Sequence, residues 1–143
     1  MSWLRFFAQL HGHLGWLAAA ALLHPALLLR GRRGRGVALA ATILTVSVVV
    51  VGSALYPSYR GAIKRPLFVL DARLGWAFER KEHLAFAAAS CALLGLVALA
   101  LAGRRPEEGE RYLQLARWGY GAAFAFATAV ALIGTLVASL RSF

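Results

Sequence analysis

Four long apolar segments dominate this sequence and restrict the folds open to it. They cover residues 10–29, 37–56, 84–102 and 119–140, and the last three contain no Asp, Glu, Lys or Arg. A helix of about 20 predominantly apolar residues crosses the hydrocarbon core of a bilayer. Lipid cannot hydrogen-bond an open backbone, so such segments are expected to be helical. The sequence therefore predicts an all-α integral membrane four-helix bundle that forms one domain over residues 1–143.

Composition and charge agree with a membrane location. The chain is 60% hydrophobic, and its 16 Lys and Arg residues outnumber 6 acidic residues. The basic residues concentrate in the connections, where they favour contact with anionic headgroups. A nucleic-acid binding protein would need a basic face on a soluble fold. We therefore expect the lipid bilayer and other membrane subunits as partners, no nucleic acid, and a multi-pass location in the bacterial inner (cytoplasmic) membrane.

The second connection, residues 57–83, is the longest. Within it Leu67, Leu70, Leu74 and Phe78 recur at helical spacing, with charged residues between them. This pattern is typical of an amphipathic helix that lies at the membrane surface. We therefore predict a surface-lying amphipathic segment between the second and third spans.

Several ionisable side chains gather on one side of the membrane. With four spans, both chain termini and the second connection share one face, which we call the terminal face. Ionisable groups near lipid are costly unless they are paired or hydrated, so such a cluster is a default candidate site. Its members are His11, His13, Tyr56, Tyr59, Arg60, Lys64, Glu79, Lys81, Glu82 and His83.

Two histidines of the terminal face suggest a b-type haem between the first and third spans. His13 and His83 open the similar stretches HLGWLAAA and HLAFAAAS. A haem in a helical bundle takes one axial histidine from each of two facing helices, so both are predicted iron ligands. Glu79 lies four residues before His83 on the same helix face and is predicted to orient its imidazole. The candidate contacts of the haem propionates are Tyr56, Tyr59, Arg60 and Lys64.

A shift of 70 residues aligns His13 with His83 and Leu4 with Leu74. Two helical hairpins of the same topology would form a parallel repeat about an axis along the membrane normal. Chance matching of abundant Ala and Leu residues is the alternative explanation.

Small residues on the third and fourth spans predict close helix packing, because they allow backbones to approach in lipid. In the first span, Pro25 predicts a kink, and His24 beside it is interpreted as a polar residue of that kink rather than a ligand. The predicted small-residue stripes are Ala87, Cys91 and Gly95, and Gly121, Ala125 and Ala129.

Other functions stay open at this point. His11 or His13, His83 and a carboxylate are candidate ligands of a divalent metal. A His or Tyr donor near the interface also suits a quinone headgroup. In a cofactor-free structural or assembly protein, the same residues would simply occupy the headgroup zone. A channel or transporter protomer that acts as an oligomer is a further alternative, and no nucleophile–base spacing predicts an enzyme.

In architecture and histidine placement, the layout resembles small four-helix membrane cytochromes and the membrane anchors of respiratory enzymes, although no specific motif is shared. We therefore predict a small subunit or anchor of a larger membrane complex. Electron transfer through a b-type haem is the redox form of this role, and a cofactor-free structural form is its alternative.

Overall fold

The computed structural model describes residues 3–29 and 34–139, and these residues form helices joined by short turns. Four helical stretches are long and apolar enough to cross a membrane, which confirms the predicted all-α four-helix bundle. A π-helical turn joins α2 to α3, and a short 3-10 turn precedes α5. The elements are α1 (Trp3–Leu28), α2 (Arg35–Tyr59), the π turn (Arg60–Lys64), α3 (Arg65–Leu70), α4 (Ala72–Arg104), the 3-10 turn (Pro106–Glu108) and α5 (Gly109–Ser139).

The four long helices are arranged in a ring in which each packs against two others. Helix α1 packs against α2 and α5, and α4 packs against the same two helices. Helices α1 and α4 therefore lie at opposite corners. A parallel repeat would give this order, and so would any up-and-down bundle in which consecutive helices pack. The internal repeat therefore stays a prediction.

Small residues bring α4 and α5 into close contact. A Cβ atom at Gly119 would lie 3.0 Å from the Cα atom of Gly95 and 3.1 Å from the carbonyl oxygen of Cys91. The prediction of close packing holds here, but the predicted stripe on α5 is wrong. Ala125 is exposed and Gly121 faces open space. Both sides of α5 are apolar and both carry small residues, so the spacing of small residues alone does not show which side faces the core.

A buried tyrosine links α5 to α2 across the bundle. The Tyr120 hydroxyl lies 3.0 Å from Thr42 Oγ1 and 3.3 Å from the carbonyl oxygen of Ala38. Tyr120 is fully buried among alanines of the core. A buried hydroxyl is costly without a partner, so this network both satisfies the tyrosine and selects the position of α5 relative to α2.

Two side-chain contacts hold α1 against α5. The Trp16 indole donates to Thr135 Oγ1 at 3.1 Å, and the Arg117 guanidinium donates to the carbonyl oxygen of Leu29 at 2.9 Å. The second contact places a cation at the carboxyl end of α1, where the helix dipole and the free carbonyl groups favour positive charge.

The second connection folds as a helical hairpin that continues directly from α2 into α4. Pro66 has no N–H group and its ring crowds the preceding turn. The helix widens there, and the Arg65 N–H bonds to the carbonyl oxygen of Arg60. Asp71 then adopts an extended conformation and accepts a bond from the Arg73 N–H at 2.8 Å, which starts α4. We call residues 60–83 the terminal hairpin.

The terminal hairpin has its own small apolar core. Ile63 and Leu67 pack against Phe78 on the opposite arm, and Val137 of α5 completes the cluster. The apolar side of the predicted amphipathic segment therefore packs between the two arms of the hairpin and against α5. The location of this segment at a membrane surface stays a prediction.

Candidate functional site

The two predicted haem ligands lie on outward faces of the bundle. His13 of α1 and His83 of α4 are both exposed, and their helices occupy opposite corners. An axial ligand held inside a bundle would have its imidazole among packed side chains around the ring. The structure therefore does not enclose the two imidazoles in one pocket, and haem binding stays a prediction.

His11 is the terminal-face histidine that points into the bundle. It shares the core-facing side of α1 with Ala18, Leu22 and Pro25, which are buried. Its imidazole covers the backbone of Gly52 on α2, where a Cβ atom would lie 2.9 Å from Cε1 and 3.2 Å from Nε2. Among the described residues, its buried Nδ1 has no hydrogen-bond partner. The sequence pattern favours His13 instead.

The predicted pairing of Glu79 with His83 takes a different form. His83 Nδ1 donates to the backbone carbonyl oxygen of Glu79 at 3.0 Å. The Glu79 carboxylate instead lies 3.4 Å from the ammonium of Lys64. Glu79 therefore orients His83 through its backbone carbonyl group, while its carboxylate pairs with Lys64 in the terminal hairpin.

Lys64 is the centre of the polar contacts. Besides Glu79, its ammonium lies 3.7 Å from the carboxylate of Glu82 and donates to the Tyr56 hydroxyl at 3.2 Å. Its side chain is only 15% exposed. One cation therefore bridges two carboxylates and ties the π turn to both α2 and α4, which offsets part of the cost of removing these charges from water.

The other predicted propionate contacts do not join this group. Arg60 is exposed, and Tyr59 packs against the apolar core of the terminal hairpin. Tyr56 and Lys64 bind each other, so their polar atoms are already engaged within the chain. Of the four predicted propionate contacts, the structure therefore brings together Tyr56 and Lys64.

A second cation, Lys81, lies beside Glu82 on α4. The Lys81 ammonium lies 4.4 Å from the centre of the Phe78 ring, a distance typical of a cation–π contact. It also acts electrostatically on the His11 imidazole. The terminal polar site, as we call it, consists of His11, Tyr56, Lys64, Glu79, Lys81 and Glu82.

The terminal polar site suits charge compensation better than metal binding. In the part of the chain that the structure describes, no three His, Cys, Asp or Glu residues come together in a way that could hold a metal ion. Its donors are two ammonium groups, a phenol and an imidazole, and its acceptors are two carboxylates. The Oε1 atom of Glu82 is buried without a partner among the described residues. The arrangement can hold helices together and can accept a proton or hydrogen bond at that oxygen.

Helical phase was the signal that could have identified His11. Four of the buried residues that follow it, Ala18, Leu22, Pro25 and Leu29 (the last just beyond α1), recur at spacings of three and four. In a soluble helix the polar residues would mark the opposite face. Here most outward residues, such as Leu17, are also apolar, so the core-facing side is difficult to recognise without the neighbouring helices.

Comparison of the chain with known protein families, with curated proteins and with solved structures finds no match. The function is therefore inferred from the arrangement of residues described above.

Proposed function

We propose that this protein is a small subunit or anchor of a larger membrane complex, located in the bacterial inner membrane. It would bind its partners within the bilayer through the outer faces of the bundle. The observation that carries the proposal is the pairing of Lys64 with Glu79 and Glu82 inside the terminal hairpin. Ionisable groups near lipid are candidates for a functional site, but these three attract one another and join helices of the same chain.

The packing of the core supports a structural role as well. Backbone contact between Gly95 and Gly119 brings α4 and α5 together, and Tyr120 spans the remaining core to reach α2. These interior groups are committed to helix packing. The outer faces are therefore the surfaces best suited to partner recognition.

Each spanning helix exposes large apolar side chains that can contact lipid or another subunit. Leu27 of α1, Leu39 of α2, Leu94 of α4 and Leu132 of α5 are examples. Without a hydrophobic driving force in lipid, partner helices associate by close packing and interhelical hydrogen bonds. A partner is thus expected to cover one of these faces, or two neighbouring ones, and leave the others to lipid.

Photo-crosslinking in native membranes tests this proposal. The residues Leu27, Leu39, Leu94 and Leu132 are replaced one at a time by a benzophenone amino acid, and Glu107 in the exposed 3-10 turn is the control position. We expect one or two neighbouring faces to give an adduct with a different protein, identified by mass spectrometry. The remaining faces and the control should give none.

Two results would contradict the proposal. If no membrane position gives an adduct with a different protein, the chain is not held in a hetero-complex. Adducts formed only between copies of this chain would instead favour the oligomeric channel or transporter alternative.

The geometry favours the structural form of this role over the redox form. The exposed positions of His13 and His83 offer no shared pocket for a haem within one protomer. A quinone partner stays an expectation from the sequence alone.

A further inference from the structure

Positive charge is concentrated on the outside of the terminal hairpin. Its two arms carry four exposed arginines, none of which forms an ion pair within residues 3–29 and 34–139. These side chains are available to an external anion. They are Arg60, Arg65, Arg73 and Arg80.

The acidic residues of the same segment do not compensate these arginines. Between residues 57 and 83 the acidic residues are Asp71, Glu79 and Glu82. Both glutamates face Lys64, and Asp71 accepts the backbone N–H that starts α4. On the outside of the hairpin, four arginines therefore stand against one exposed carboxylate, that of Asp71, and the outer surface has a net positive charge.

The tip of the terminal hairpin is apolar as well as cationic. Val69 is 89% exposed, Leu70 is 68% exposed and Trp76 is 56% exposed. The Trp76 ring packs edge-on against Phe68 with ring centres 5.7 Å apart, so the indole is held in place on the surface. An open groove beside it is lined by Gly61, Arg65, Pro66, Val69 and Leu70.

Packing against α5 places this tip near the end of the last apolar segment. Val137, near the end of the last apolar segment, packs against Leu67 and Phe78 of the hairpin. Val69 and Trp76 each lie only two residues from those contacts, which corresponds to a rise of about 3 Å along a helix. The tip thus lies where the apolar segment of α5 ends, at the depth expected of headgroups.

We propose that the tip of the terminal hairpin binds anionic phospholipid in the leaflet that it faces. Val69, Leu70 and Trp76 would insert between the headgroups, while Arg65 and Arg73 would pair with their phosphates. Tryptophan is enriched at membrane interfaces, and arginines next to a membrane attract anionic lipid. Charge complementarity therefore favours anionic lipid over a zwitterionic one. This inference does not depend on the proposed partner complex.

Fluorescence quenching by brominated lipid tests the proposal. The whole protein is reconstituted with brominated phosphatidylcholine or with brominated phosphatidylglycerol at equal mole fraction. The difference between the wild type and Trp76→Phe isolates the signal of Trp76. We expect phosphatidylglycerol to quench Trp76 several-fold more strongly, because an arginine contact changes local lipid affinity by about fivefold.

Charge variants identify the cause of this selectivity. Arg65→Gln/Arg73→Gln should abolish the preference for phosphatidylglycerol, whereas Arg65→Lys/Arg73→Lys should retain most of it. The matched control Arg104→Gln/Arg111→Gln removes two exposed arginines from the opposite end of the bundle and should leave the preference unchanged. Circular dichroism of each variant verifies folding.

Three results would overturn the proposal. Equal quenching by the two lipids would remove the selectivity, and selectivity that survives Arg65→Gln/Arg73→Gln would remove its stated cause. Absence of quenching by either lipid would place Trp76 away from the bilayer and favour a protein partner at the tip. None of these results bears on crosslinking at the spanning helices, so each proposal fails separately.

Discussion

The imidazole of His11 covers the backbone of Gly52, and this contact joins α1 to α2 at the terminal end of the bundle. A Cβ atom at position 52 would lie 2.9 Å from Cε1 of His11, closer than such atoms pack. The glycine therefore makes the space that the histidine occupies. His13, two residues along α1, is exposed and makes no comparable contact.

The contact predicts a coupled effect of mutations at the two positions. Gly52→Ala should lower the free energy of unfolding by about 1 kcal/mol, because the imidazole must shift. In a His11→Ala background the same change should be neutral or stabilising, since alanine is the better helix former. Unfolding in mixed detergent micelles, followed by circular dichroism, measures the double-mutant cycle. Additive effects would contradict the contact, and His13→Ala/Gly52→Ala, the matched control, should be additive.

Removal of Lys64 should destabilise the protein more than removal of the whole ion-pair group. Lys64→Met leaves Glu79 and Glu82 without their counter-charge and should cost about 1–3 kcal/mol of unfolding free energy. Lys64→Met/Glu79→Gln/Glu82→Gln removes the unpaired charges and should recover part of this loss. Denaturant titrations compare the two variants, and the control Arg60→Met changes an exposed cation of the same turn. If the triple variant is less stable than Lys64→Met, compensation is not the role of the lysine.

The α4–α5 contact predicts opposite results for two glycines of α5. Gly119→Ala should destabilise the bundle by about 1–3 kcal/mol, because its Cβ atom would meet the backbone of Gly95, which cannot rotate away. Gly121→Ala adds a methyl group where no other atom lies within 4 Å, so it should be neutral or stabilising. Thermal or denaturant unfolding distinguishes the two. Equal destabilisation by both variants would contradict the observed phase of α5.

The buried hydroxyl of Tyr120 should contribute measurably to stability. Tyr120→Phe removes the contacts with Thr42 and Ala38 and should cost about 1 kcal/mol, the usual net value of one internal hydrogen bond. Tyr112→Phe, on the same helix and at its partly buried polar end, is the matched control and should have little effect. The comparison uses unfolding in the same micelles. Unchanged stability of Tyr120→Phe would show that the network is not required to position α5.

Absorbance spectroscopy provides the test of the haem prediction. Since His13 and His83 are exposed on helices at opposite corners, protein purified as single protomers after expression with ample haem should show no Soret band that depends on both residues. The variants His13→Ala and His83→Ala are compared with His24→Ala, another exposed histidine of α1. A Soret band that is lost in both His13→Ala and His83→Ala but kept in His24→Ala would establish the two as ligands.

The location of the polar site was predictable, whereas its membership was only partly so. Tyr56, Lys64 and Glu79 were expected near one another because an even number of spans places them at the same membrane face. His13 was favoured over His11 because the stretches that begin at His13 and His83 are similar, and this similarity does not reflect a contact. Likewise, the role of Lys64 depends on the π turn before Pro66, which directs the lysine toward α4.

By itself the sequence determined the number of spans and the helical class of the protein. Both depend on the length of the apolar segments and on the exclusion of charge from lipid, which are properties of the chain read in order. Only the tertiary structure decided which side of each helix faces the core. In a bilayer both the core and the surroundings are apolar, so residues such as Leu17 and Leu22 look alike until the neighbouring helices bury one and leave the other exposed. For the same reason, only the tertiary structure shows that His11 is half-buried against α2 while His13 is exposed.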